Sequence, residues 1–356
     1  SFSIYLPIGF NNIKLVDMKK MMILAFFTLL ISIFEIPSQI YVWKNGKVIF
    51  SVENEYPDSV TFSNPNLSVV ETADTIPPDT FLFSVNDTLQ VRFAPGNLQY
   101  NDYYFEWRFA ENQYDLIGIS NSNIAPFYDG WIDLFGWATC GWSTGFLPTS
   151  TSTDYRDYLV GESWDNSFVG EFATADWGAL NKIGSDAEHI WRTPTSKEWN
   201  YLLAERKDAD QLFALATVAN VKGLILLPDD WKTPEGVKFI PSVSTEINNH
   251  LVYQNGLYMD EEMLDDHYAD NTYNEAEWAV MEKSGAIFLP AGGRRWGNTI
   301  KNYPTNPWGI YWSSTTGSQE REGNVRALSF YMSGVTPLAE TSRVWGCSVR
   351  LIQEIK

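Results

Sequence analysis

Apolar residues recur along this chain in two rhythms. Trp199, Leu202 and Leu203 stand three and four positions apart, the spacing of one helical face. Just ahead of them, Thr195 and Glu198 have the spacing of a capping box, so the helix is expected to open at Thr195, with Trp199 inward and Glu198 bonded back to the first turn. A second helix is expected over Asn274 to Ser284, with Ala276, Val280 and Met281 inward and Gly285 as its stop. Elsewhere the apolar residues come in short runs typical of strands: Phe81–Val85, Leu89–Phe93, Trp107–Ala110, Gly223–Leu227, Ala286–Leu289, Ile310–Ser313, Val325–Met332 and Val344–Ile352. Gly130 to Gly145 is dense in Gly and Trp and reads as a long structured loop. Thr149 to Asp165 is polar and reads as an exposed loop. Helix, strand, helix and then several strands is an α+β order, not the alternation of a doubly wound sheet.

The first eighty residues read differently. Met18-Lys19-Lys20 precedes an uncharged apolar run, Met21 to Phe34, too short for a membrane span and patterned as a secretory signal. Cleavage is expected near Pro37 to Ile40, and no Cys follows to carry a lipid anchor. Residues 1–17 lie ahead of a plausible start Met18 and are set outside the fold. Ile40 to Phe50 forms two apolar runs around Asn45-Gly46, a hairpin signal, and Ser59–Phe62 reads as one more short strand. Asn64 to Asp79, with Pro77-Pro78, has linker composition. The expected organisation is an upstream segment 1–17, a signal peptide 18–39, a short β module 40–63, a linker 64–80 and one large domain 81–356.

Charge narrows the partners. Lys and Arg number 25 against 44 Asp and Glu, a net charge of −19. Such a chain repels phosphate backbones and anionic lipid surfaces, so nucleic acid is not an expected partner, and no stable membrane span is expected after signal removal. The 15 Trp residues supply apolar faces with a polar edge; most are expected in the core, and the remainder suit sugar or protein contact. Two cysteines, Cys140 and Cys347, are too few for a disulfide framework; pairing and separate burial both stay open.

Several motifs resemble a known family. Trp191-Arg192-Thr193-Pro194-Thr195-Ser196-Lys197-Glu198-Trp199-Asn200-Tyr201 is similar to the R-L-P-T-x-x-E-W-E-Y stretch of the formylglycine-generating-enzyme-like (sulfatase-modifying-factor) branch of C-type lectin folds. Trp345-Gly346-Cys347-Ser348-Val349-Arg350-Leu351 resembles its G-F-R-L final strand, and Tyr311-Trp312-Ser313-Ser314 the strand before it. FAPGNLQY, WRFAENQYD, GWIDLFGW, ILLPDDW and FLPAGGRR resemble exported proteins of Bacteroides-type gut bacteria, and IYVWKNGKVIF followed by DSVTF resembles a short module common before such domains. The resemblance covers Phe81 to Ile352. It implies a C-type-lectin-like domain: two helices packed on a mostly antiparallel twisted sheet with long irregular loops, after a short β-hairpin module. Arg192 and Arg350 are expected to serve framework ion pairs.

Catalytic constellations are sparse. Formylglycine chemistry needs close cysteines, and only Cys347 lies near the C-terminal end. His189, His250 and His267 are scattered. Calcium, common in lectins of this fold, has the candidate ligands Asp229 and Asp230, with Asp260-Glu261-Glu262 and Asp265-Asp266 read as a solvated acidic loop. No P-loop, dinucleotide fingerprint or nucleophile elbow is present. The resemblance places ligands against the loops from Arg294 to Arg343, where proteins diversified by mutagenic retroelements also vary. The expected surface comprises Arg294, Arg295, Trp296, Asn298, Asn302, Tyr303, Asn306, Trp308, Tyr311 and Trp312. The expected function is glycan or protein binding or adhesion, outside the cell or on its surface. A structural component of a surface fibre and a formylglycine-generating-type enzyme are the alternatives.

Overall fold

The computed structural model describes residues 2–5, 14–15, 40–44, 47–52, 81–242, 266–304, 307–318 and 323–355. The chain divides into two compact units, Ser1–Ile76 and Pro77–Lys356. In the first, strands Lys14–Leu15, Phe2–Tyr5, Ile40–Lys44 and Lys47–Val52 form a four-stranded sheet in that order. The hairpin flanking Asn45-Gly46 is present, with Val42 opposite Phe50 and Lys44 opposite Lys47. Residues 1–17, set outside the fold by sequence reasoning, supply Phe2–Tyr5, which pairs with Ile40–Lys44, and Lys14–Leu15. The signal run, Ser59–Phe62 and the linker 64–80 lie outside the described residues. No helix among the described residues is long and apolar enough to cross a membrane.

The second unit is α+β. Strands Phe213–Val218 and Val221–Leu226 form a tight hairpin whose linking residues Ala219 and Asn220 both take positive φ, at 48° and 68°, as a twist-matched two-residue turn requires. Ile287–Pro290 joins Val221–Leu226 antiparallel, and Thr272–Tyr273 joins Phe213–Val218 parallel. Gly309–Thr316, Asn324–Tyr331 and Gly334–Ser342 make an antiparallel meander. Phe213–Val218 and Gly334–Ser342 escape the hydrophobic pattern for different reasons. The first is buried on both faces and does not alternate. The second carries Pro337, ordinarily a strand breaker.

The capping box forms as expected. The Glu198 amide donates to Thr195 Oγ1 at 3.2 Å, and the Thr195 amide donates to Glu198 Oε2 at 2.7 Å. Glu198 also receives Arg192 at 2.6 Å, and Arg192 reaches Glu354 at 2.9 Å, so that framework pair is present. The helix Ser196–Asn200 continues as a π-helical turn, Tyr201–Glu205, burying Trp199, Leu202 and Leu203. The second helix, Glu275–Lys283, is rolled relative to expectation. Trp278 and Met281 face inward, Ala276 is exposed and Val280 is 43% exposed. The Trp278 indole offers more apolar area than Ala and Val together, and it packs 5.6 Å from Phe288.

The largest departure concerns Val344–Ile352. Only Ile352–Glu354 is regular strand, paired with Gln90–Phe93. The preceding residues form a buried thread, held by backbone bonds to several elements. Phe135 exchanges hydrogen bonds with Cys347 at 2.9 Å each way, and Arg295 with Gly346 at 2.8 Å each way. Ser348 donates to Ile310 and accepts from Trp312, while Leu98 and Ala94 donate to Val349 and Leu351. Arg350 does not make the expected ion pair. It is fully buried and donates to Ala94 O, Gln113 Oε1 and Phe288 O. Arg343 is likewise buried and donates to Trp164 O at 2.7 Å and Tyr158 O at 3.3 Å. Burial pushes both guanidinium pKa values down to about 10, leaving them charged at neutral pH.

Asp133 and Asp176 are buried carboxylates without a cation in hydrogen-bond range. Asp133 accepts from Asn121 Nδ2 at 2.7 Å and the Ile117 amide at 3.0 Å. Asp176 accepts from the Thr193 amide at 2.7 Å and the Gly178 amide at 3.0 Å. Desolvation outweighs these bonds and raises each pKa from 3.8 to about 6. A carboxyl raised in the folded state contributes stability that is complete below its unfolded pKa and lost as pH rises through the folded one. Asp133→Asn is therefore expected to flatten the stability–pH curve between 3.8 and about 6, relative to the parent protein. Denaturant midpoints across that range measure it, and parallel curves would refute it. In the same assay, Trp278→Ala is expected to cost about 3–5 kcal/mol and Val280→Ala less than about 0.5 kcal/mol. Equal losses would contradict the observed roll of the helix.

Candidate functional site

The hairpin Arg294–Trp296/Thr299–Lys301 turns at Gly297, which takes a φ of +57°. In its register Arg294 faces Lys301, Arg295 faces Ile300 and Trp296 faces Thr299. Period-two alternation sends Arg294 and Trp296 to one face and Arg295 to the other. Arg295 is 1% exposed and donates to Leu134 O, Ser150 O and Gly297 O. Its backbone bonds to Gly346 leave no space for a side chain there, since an added Cβ would sit 2.9 Å from Arg295 Cβ. That close approach sets Trp345 beside the outward face of the hairpin.

The result is an open hollow of about 620 Å³ lined by Arg294, Trp296, Lys301, Asn302 and Trp345. The Arg294 guanidinium lies 3.4 Å from the centroid of the Trp345 ring and 5.6 Å from that of Trp308. Trp296 meets Trp345 edge-on at 5.2 Å and is 40% exposed. Two polar atoms at this wall, Arg294 Nε and Asn302 Oδ1, are buried without a hydrogen-bond partner. Partial burial lowers the Arg294 pKa, and among the described residues no carboxylate lines the hollow.

The expected surface is thus split. Arg294, Trp296 and Asn302 come together there. Trp308 stands behind Arg294, half-buried against the core. Asn298 is exposed at the hairpin turn but does not line the hollow. Tyr303 instead packs against Gly118. Asn306 is outside the described residues. Arg295, Tyr311 and Trp312 are corrections, because all three are interior. The Tyr311 hydroxyl donates to Pro290 O at 2.8 Å, and Trp312 Nε1 donates to Phe135 O at 2.6 Å. Their strand is buried from Gly309 to Ser314, so neither ring reaches solvent. Sequence reasoning missed Trp345 and Lys301. The signal for Lys301 is Arg-Arg-Trp and Thr-Ile-Lys flanking Gly297-Asn298, a two-residue hairpin signature. Trp345 gives no comparable signal, because only the tertiary thread brings it to the hairpin.

Other chemistry is committed elsewhere. Asp229 is not free for calcium: it accepts from the Ser84 amide and hydroxyl, from Gln90 and from Arg206, at 2.7–3.1 Å. Among the described residues no group of three or more His, Cys, Asp and Glu is placed to hold a metal, Asp230 included. His189 is exposed, His267 pairs with Asp270 at 2.8 Å, and His250, Asp260, Glu261, Glu262 and Asp265 lie outside the described residues. Cys140 and Cys347 are free, buried thiols whose pKa values are raised by desolvation, which disfavours the nucleophilic thiolate. A second hollow, of about 420 Å³ beside Phe83, Arg92 and Trp191, has its polar groups satisfied: Arg92 donates to Gln353 and Trp191 to Asp186.

Comparison with family models, with curated proteins and with solved structures returned no match.

Burial decides what each tryptophan does. Trp312→Ala is expected to cost about 3–5 kcal/mol, whereas Trp296→Ala is expected to leave the Tm nearly unchanged, within about 0.5 kcal/mol. Differential scanning calorimetry compares them, and unfolding of the Trp296 variant would place that ring in the core.

Proposed function

We propose that this protein is an exported ligand-binding module of C-type-lectin-like type, which recognises a glycan through the hollow between Trp296 and Trp345. The observation that carries the reading is that hollow. It combines a half-exposed indole, a second indole covered by a guanidinium, and the polar side chains of Lys301 and Asn302. Sugar rings offer an apolar C–H face to an indole and hydroxyls to converging donors and acceptors, and this wall presents both.

Export is supported by the run Met21 to Phe34 behind Lys19-Lys20. The lectin-like reading draws on the capped helix at Thr195 and on the Trp345–Leu351 segment embedded in an α+β unit. The buried, protonated thiols count against the formylglycine-generating alternative, whose chemistry requires reactive sulfur.

A glycan array probed with residues 81–356, with and without calcium, tests the proposal. Retention of at least one glycan is expected, lost at least tenfold in Trp296→Ala at unchanged Tm. Retention by the variant equal to that of the parent, or no retention by either, would overturn it.

A further inference from the structure

Resting on that reading, we infer that the glycan is acidic and that a sugar carboxylate is seated between Arg294 and Lys301. The two cations are direct cross-strand partners, and like charges placed opposite one another in a sheet destabilise it. A chain of net charge −19 has ample carboxylates to neutralise such a pair. Arg192, Arg206, Lys222 and Arg326 each meet an Asp or Glu within 3.2 Å, whereas the buried Arg295, Arg343 and Arg350 are held by carbonyls. Among the described residues Arg294 and Lys301 meet none, and the hollow they line contains no acid. A local rule broken without internal compensation points to compensation by a ligand.

Geometry selects the anion. With Trp345 covering one face of the guanidinium at 3.4 Å and Nε buried, the terminal in-plane N–H groups of this part-exposed side chain are what Arg294 can offer a partner. A planar carboxylate matches such a fork through two parallel bonds. Lys301, exposed on the facing strand, adds a second positive charge.

Isothermal titration calorimetry tests this with three probes: hexagalacturonate, its fully methyl-esterified form and a sulfated oligosaccharide of neutral backbone. The proteins are the parent, Lys301→Glu and Trp296→Ala, at low and physiological ionic strength. The acid is expected to bind at least tenfold more tightly than the ester. Lys301→Glu should abolish that preference while raising the Tm, because the introduced carboxylate would pair with Arg294 across the strands; Lys301 is exposed, so the fold is not at risk. Equal binding of acid and ester, both lost in Trp296→Ala, would overturn the charge inference and leave the glycan reading intact. A neutral glycan retained on the array with no acidic one retained would do the same. Absence of any glycan ligand would overturn both. Preference for the sulfated probe would overturn the carboxylate assignment, and acid binding that survives both substitutions would place the interaction elsewhere.

Discussion

Among the described residues Arg295, Arg343 and Arg350 are charged groups buried with no carboxylate in contact, held by main-chain carbonyls and the Gln113 amide oxygen. Burying a charge is costly unless its hydrogen-bonding sites are filled; here carbonyls from several segments take the terminal nitrogens, while Arg343 Nε and Arg350 Nε are buried without a partner. Arg295 draws in the loop residues Leu134 and Ser150, Arg343 draws in Tyr158 and Trp164, and Arg350 joins the Ala94 loop to Phe288. Each guanidinium therefore fixes the position of long irregular segments that have no ladder of their own. These contacts tie such loop segments of the second unit to its strands.

The surface hollow is a by-product of the same arrangement. Arg295 turns inward because Arg294 and Trp296 turn outward, and its backbone grips Gly346. The side chain next to that glycine, Trp345, is then delivered to the face that carries Arg294 and Trp296. Rigid supporting contacts beneath a small aromatic surface are what keep a binding geometry preorganised. Arg294 and Lys301 face each other across the hairpin, with Arg294 partly covered by Trp345 and Lys301 exposed.

Legibility from sequence followed the range of the interaction that fixes each element. The Thr195–Glu198 cap and the stop at Gly285, with a φ of +95°, rest on neighbours a few residues away, and both were readable. The roll of Glu275–Lys283 depends on Phe288 across a turn, and the expected inward face was wrong at Ala276 and Val280 and right at Met281. The thread before Ile352 depends on partners more than a hundred residues distant, such as Phe135 and Ala94. Its arginines, residues ordinarily found outside, gave no hint of burial. The same limit applied to the site. Arg294 and Trp296 were legible as an aromatic, basic patch, but Tyr311 and Trp312 look identical in composition and differ only in lying on a strand covered on both sides.

The central claim is that ligand meets the indoles of Trp296 and Trp345 and no buried one. The indole N–H resonances of this protein report on it directly during titration with hexagalacturonate. Trp137, Trp199 and Trp312 donate to the carbonyls of Ser313, Trp312 and Phe135 inside the core. The account predicts saturable shifts at Trp296 and Trp345 with those three unmoved. Shifts confined to other tryptophans, with Trp296 and Trp345 silent, would contradict it.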